Sequence, residues 1–413
     1  MKIKGLFYNL SKPLGYLVGD IVNKAIPFLL LPVIVSKISI ETYGYYSVEV
    51  VIYSFFCCLL TMGAQAKIIL DISRDEIHSN VVTSNVLVLF FLLSVFCGCL
   101  LFILNIFDGL INPNINITLV FFCAIIQSFV NICLTRYQAE NRVKIFVAIN
   151  IIYTLAYFFG VLYSLFIDHW DNVWKNIILF YVLTTITMFF FYFIRKGKVV
   201  KLFFFHYISK NKVYETFIFG LYQLPHVLSS WVRLGYDRLV LGELISMSYV
   251  GGYSVAVQIS LVSSVIFQSL NRFWTPFFIK KLKENSKQKK IIVLGGFGII
   301  CITILNILFG YAYFIFFLPT NYSSFSNALP ILCMAYMFQG LYFLIVNYIY
   351  YHDGNKLISI PSVASIAIHI AVAPVLIKHM GYYGAAISLL ISWIVLFLFT
   401  CVIIFYVRRG YRG

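Results

Sequence analysis

The sequence predicts an all-α, polytopic membrane protein with about twelve transmembrane helices in two six-helix lobes around a central cavity, and three observations carry that reading. Of its 413 residues, 61% are hydrophobic and 11% charged, against ~45–50% and ~25% in soluble domains. Polar stretches are short and regularly spaced between apolar runs of spanning length. No polar linker divides the chain, although a soluble core stops growing at ~250–300 residues. Finally, Lys and Arg are distributed unequally between alternate loops.

At ~17–25 apolar residues per helix, spans fall near 14–36, 45–66, 80–106, 115–135, 145–167, 176–194, 216–232, 249–271, 291–318, 328–350, 357–377 and 381–407. The basic start, Met1 to Pro13, leads into a full-length span without a small-residue cleavage site, so it is expected to stay rather than leave as a signal peptide. The first span holds Asp20, Lys24, Pro27 and Pro32, and the second holds Glu49. The remaining ten contain no Asp, Glu, Lys or Arg. Span seven ends just before Arg233, Asp237 and Arg238, which places that trio at the periplasmic interface.

An even number of spans puts both termini on one side. That side collects 25 of the 31 Lys and Arg, the other collects 5 (Lys37, Lys175, Arg233, Arg238, Lys378), and Lys24 lies within a span. The bias predicts an inner-membrane protein with cytoplasmic termini. The loops 195–212 and 272–290 are the most basic, and their plain role is to anchor topology beside anionic membrane lipids. A charge of +16 dispersed among loops forms no continuous basic face, so no nucleic acid partner is expected.

Two landmarks suggest an internal repeat. Tyr43-Gly44-Tyr45-Tyr46-Ser47 matches Val250-Gly251-Gly252-Tyr253-Ser254 at an offset of 207, and the hairpin Glu140–Lys144 resembles Asp353–Lys356 at an offset of 212. Six spans each leave the halves in one orientation, a parallel repeat. The expected division is a lobe at 1–194, a basic cytoplasmic linker at 195–213 and a lobe at 214–413. Rocking of two lobes about a cavity is transporter architecture. No phosphate-cradling loop and no HExxH spacing occurs, and Gly295-Gly296-x-Gly298 lies inside an apolar span, so neither enzyme activity nor a cofactor is expected. The nine Cys show no CxxC pair or neighbouring His, so no metal is expected either.

Asp20-Ile-Val-Asn23-Lys24-Ala-Ile-Pro27-Phe-Leu-Leu-Leu-Pro32 with Tyr43–Ser47 resembles the opening of the polysaccharide-exporting branch of the multidrug/oligosaccharidyl-lipid/polysaccharide exporter superfamily. Gly235–Gly242 with Val250–Ala256, then Trp274-Thr-Pro276 and Gly381–Ala386, are similar to its later signatures. Length and span number look most like a Wzx-type O-antigen or capsule repeat-unit flippase. That resemblance implies export of an undecaprenyl-diphosphate-linked oligosaccharide from the cytoplasmic to the periplasmic leaflet, by alternating access coupled to H+ or Na+, beside other glycan-assembly membrane proteins. The cation-coupled multidrug exporters share the twelve-helix plan and stay as the alternative. A membrane-embedded glycan polymerase is a third reading, but it would need a large charged periplasmic loop, and the long loops here are cytoplasmic. The chain departs from the family pattern in lacking a dense set of intramembrane cations.

Asp20 and Lys24 are four apart and share a helix face, so they pair either as a brace or as a site. On the second reading Lys24 binds the diphosphate and Asp20 couples it to an ion. Pro27 and Pro32 free the carbonyls of Asn23 and Phe28 and should bend the helix there. Arg233 and Arg238 suit bidentate contact with phosphate or acidic sugar, and Asp237, four from Arg233, suits either an ion pair or coupling. Glu49 is one turn into its span, placed for solvation or for coupling. His226 and His369 are lone imidazoles expected to pack with satisfied nitrogens.

Overall fold

The computed structural model describes residues 26–73, 79–106, 114–196, 207–284, 288–351 and 355–410, which form helices joined by short connections with no strand among them. In order they are α1 (Ile26–Lys37), α2 (Ile40–Thr61), α3 (Ala64–Ser73), α4 (Ser79–Ile106), α5 (Ile117–Ala139), α6 (Val143–Phe166), α7 (Val173–Lys196), α8 (Lys210–Leu244), α9 (Met247–Lys283), α10 (Gln288–Phe317), α11 (Leu329–Tyr351), α12 (Asn355–Met380) and α13 (Tyr382–Gly410). Among the described residues 9 helices are long and apolar enough to cross a membrane. Expected spans six and seven fall on α7 and α8, and the part of span one before residue 26, with Asp20 and Lys24, lies outside the described residues. The protein is a multi-pass membrane protein. Its outward surface is hydrocarbon: on α10, Val293, Leu294, Ile315 and Phe316 are each at least 70% exposed, a face only lipid can cover.

Two expected boundaries shift. Helix α8 runs 35 residues, past the predicted end at 232, so Arg233, Asp237 and Arg238 lie inside it. All five basic residues counted outside the termini side are therefore helical rather than loop residues, with Lys37 ending α1, Lys175 in the first turn of α7 and Lys378 in the last turn of α12. Helix α2 begins at Ile40 and ends at Thr61, where Met62 (φ 44°) and Gly63 (φ 70°) turn left-handed before α3 resumes. Hydropathy ends a span at the first charge, whereas a helix continues wherever its charges find partners inside.

Residues cluster by contact into two units: Met1–Leu30 with Glu49–Leu228, and Leu31–Val48 with Ser229–Gly413. In the first, α6 packs on α7, and α3, α4 and α5 pack together around Phe90, Leu87 and Ile132. In the second, α11 packs on α9, α10 and α13, with Tyr253, Tyr322, Tyr336 and Phe278 buried. Ser246 caps α9 by accepting from the Tyr249 N–H, and Lys280, Lys281 and Lys283 complement the helix dipole in its last turn.

The two copies of the first repeat landmark, Tyr43–Ser47 and Val250–Ser254, meet inside the second unit. A Cβ on Gly44 would land on the carbonyl oxygen of Met247, and one on Gly251 on that of Ile40. Tyr43 Oη donates to Gln258 Oε1 (3.1 Å) beside this crossing.

At the α5–α6 hairpin, Asn141 (φ 56°) turns the chain and Glu140 accepts from Arg136 Nε (2.9 Å) and pairs with Arg142 (3.1 Å). Burial opposes the Glu140 charge, but hydrogen bonds from Arg136 and Ser79 and the charges of Arg136 and Arg142 hold its carboxyl below its ordinary value. A carboxyl held low adds stability that is present above its unfolded pKa and lost as pH falls through the folded one. Glu140→Gln should therefore lower the thermal midpoint of purified protein at pH 7, and the gap should close as pH falls below ~4. A gap constant from pH 7 to pH 3 would remove the charge from the account.

Candidate functional site

In the second unit α8 brings a buried ionisable group to α9, α12 and α13. Arg233 (8% exposed) and Asp237 (2%) lie one turn apart on α8, yet among the described residues they form no ion pair with each other. Arg233 Nη2 donates to Ser365 Oγ (2.7 Å) and to the Ser362 carbonyl (3.4 Å) on α12. Its guanidinium carbon lies 5.0 Å from the ring centre of Trp393 on α13, a cation–π contact. Asp237 Oδ2 instead accepts a very short hydrogen bond from Tyr253 on α9, and Oδ1 accepts from the Arg238 backbone N–H (2.9 Å). Of the trio expected at a wet interface, Arg233 and Asp237 are thus part of the protein interior, and Arg238 is half-buried.

His369 on α12 is wholly buried, its ring 6.1 Å from Tyr236 and near enough for the charges of Asp237 and Arg233 to act on it. A backbone hydrogen bond at Ser388 engages the ring, whereas Arg233 Nε, Arg238 Nε and Trp393 Nε1 have no protein hydrogen-bond partner. Two guanidiniums against one carboxylate leave the cluster cationic, with N–H donors in reserve. Such a set suits an oxyanion. Sequence reasoning missed His369, Ser365, Trp393 and Tyr253 as members. A signal was present on α12, where Ser362, Ser365 and His369 recur at the helical spacing of three and four on an otherwise apolar helix.

In the first unit Glu49 is 4% exposed, not solvated. Oε1 accepts from the backbone N–H of Asn116 (2.8 Å), just ahead of α5, and Oε2 from Trp174 Nε1 (2.7 Å). Every partner is a donor, and the carboxylate sits at a helix N-terminus where the dipole favours it. The arrangement braces α2, α5 and α7. Pro27 and Pro32 are half-buried within α1. His226 is exposed on α8, next to Pro225. Among the described residues no group of three His, Cys, Asp or Glu could hold a metal ion.

The family described as "Polysaccharide biosynthesis protein" matches residues 12–282, well over half the chain. The chain belongs to this family. A relative of similar length, "Lsg locus putative protein 1" of Haemophilus influenzae, is 27% identical over 404 residues, covering 93% of this chain and 96% of its own. An "Uncharacterized membrane protein" of the same organism is 24% identical over 362 residues, covering 86% and 87%. Among solved structures the family member resembles an inward-facing multidrug resistance MATE transporter of the MOP superfamily, with TM-score 0.69 at 15% identity over 97% of this chain and 98% of that one. It also resembles the lipid II flippase MurJ in an inward closed conformation, with TM-score 0.71 at 13% identity over 95% and 87%. The fold of this polysaccharide biosynthesis protein is therefore that of the MATE and MurJ transporters.

Proposed function

We propose that the protein is a flippase for polyprenyl-diphosphate-linked oligosaccharide repeat units of an O-antigen or capsule, moving them from the cytoplasmic to the periplasmic leaflet of the inner membrane by alternating access of its two halves. One observation supports it above the rest: a family member with a transporter fold holds a net cationic cluster of buried Arg233 and Asp237 with half-buried Arg238, in which guanidinium N–H donors are unused. A diphosphate crossing hydrocarbon must exchange its water shell for fixed positive groups, because uncompensated charge there costs several kcal/mol. A cationic drug would meet repulsion at the same cluster, which disfavours the multidrug reading. Lys24 is proposed as a further cation, and Asp20 and Asp237 are the groups proposed to couple export to H+ or Na+. Pro27 and Pro32 would let the first helix bend.

Deleting the gene should strand the lipid-linked oligosaccharide in the inner leaflet and strip the corresponding surface glycan, read by leaflet-specific labelling and by glycan staining. Intact glycan with raised sensitivity to cationic drugs would replace this reading by the exporter one.

A further inference from the structure

A groove of about 530 Å³ opens between α9, α10 and α11, walled by Phe267, Leu270, Trp274, Gly298, Gly340 and Phe343. Its walls are hydrocarbon, and the polar atoms beside it are occupied within the protein. Trp274 Nε1 donates to the Leu344 carbonyl (3.0 Å), and Asn347 donates to Asn271 Oδ1 (3.3 Å) while accepting from Thr275 (3.1 Å). The lining is almost wholly apolar, with Asn271 its one polar side chain, which suits hydrocarbon far better than a sugar or a charged drug.

The glycines differ in a telling way. A Cβ on Gly340 would press on the Phe267 ring at 3.0 Å and one on Gly295 on Leu344 at 3.1 Å, so those two serve helix packing. A Cβ on Gly298 would meet nothing within 4 Å. No contact in the protein requires glycine there, and helix propensity favours alanine. The missing side chain widens the groove itself.

The groove also has a charged end. On α9 its wall spans Phe267 to Phe277, and Lys280, Lys281 and Lys283 follow within two turns. On α10 the wall starts at Gly295, shortly after Lys290. Against these lysines stands a single acid in the segment, Glu284, shared by Lys280 (3.9 Å) and Lys281 (2.8 Å).

We infer that this groove binds the polyprenyl chain of the lipid-linked substrate, with its phosphate end at the lysines where α9 meets α10. The inference rests on the flippase reading and adds the tail site to it. An isoprenoid chain carries a methyl branch on every unit, which suits a slot lined by rings and widened by glycine better than a straight acyl chain does. Hydrocarbon in the slot and an anion at its basic end match both features with one molecule.

Full-length protein in nanodiscs, titrated with C55 polyprenyl phosphate and followed by native mass spectrometry, tests it. Wild type and Gly298→Ala should retain the probe over dioleoyl phosphatidylglycerol. Gly298→Leu, and separately Leu270→Trp, should lower the bound fraction at least tenfold with an unchanged thermal midpoint. If Gly298→Leu lowers the midpoint, Leu270→Trp decides. Binding indifferent to both substitutions, phosphatidylglycerol displacing the probe as well as unlabelled polyprenyl phosphate does, or a dimer that the substitutions dissociate would each overturn the proposal. Glycan lost on deletion but binding indifferent to both variants sinks the groove alone. Glycan intact on deletion sinks the flippase reading on which it rests.

Discussion

Arg233→Ala is expected to reduce surface glycan in a complemented deletion strain by roughly tenfold or more, with the protein retained in the membrane. Its guanidinium is already engaged on one edge by Ser365 and on one face by Trp393, while Nε is without a protein partner. The engaged atoms hold the group in place, and the unused edge can meet a phosphate oxygen. Lysine offers neither the planar face nor the fork, so Arg233→Lys should recover only part of the activity. The competing account makes Arg233 a clamp holding α8 to α12 and α13. On that account Arg233→Ala loses protein from the membrane, and Arg233→Met, which keeps the stacked volume, restores both abundance and glycan. Transport that stays low in a well-expressed Arg233→Met protein selects the binding role. Wild-type glycan from that protein removes Arg233 from the site. Lys24→Ala belongs in the same assay: equal losses at Lys24 and Arg233 would make both substrate cations, and an unaffected Lys24→Ala would leave the α8 cluster to act without it.

The helical, membrane-spanning character was legible because it is a property of composition and run length, which no tertiary detail alters. Boundaries were less so. The continuation of α8 past 232 depends on whether a charge finds Ser365, Trp393 or Tyr253 on another helix, and the break at Met62-Gly63 sits against Gly220, Gln223 and Val227, none of which a window of residues can see. For the same reason Glu49 read as open to solvation or coupling although Asn116 and Trp174, distant in sequence, close around it. Arg233 was legible as a candidate by residue type, but its depth was not, and Lys24 consequently seemed the lone intramembrane cation. The groove left only a weak trace, Gly295-Gly296-x-Gly298, which fits close helix contact at the first of these glycines and not at the last.

The expected repeat rests on an offset of 207, and the structure turns that offset into an energetic forecast. Gly44 and Gly251 are 207 apart, and each excludes a Cβ through the residue four positions before the other, Met247 and Ile40, themselves 207 apart. The obstructing atoms are backbone carbonyls, so no rotamer change can relieve a clash. The starts of α2 and α9 would have to separate, taking the neighbouring Tyr43–Gln258 hydrogen bond with them. Gly44→Ala or Gly251→Ala should each cost about 1–3 kcal/mol or more, and leucine at either site should leave no folded protein in the membrane. The reciprocal geometry adds a sharper expectation. Once one alanine has forced the helices apart, the second enters space already opened, so the Gly44→Ala/Gly251→Ala double variant should lose clearly less stability than the two singles added together. Gly298→Ala, facing open space, is the control and should cost nothing. Thermal midpoints of the four purified proteins decide it: additive losses would mean that the two glycines act in separate places, and unchanged single variants would mean that α2 and α9 do not cross as closely as their backbones here require.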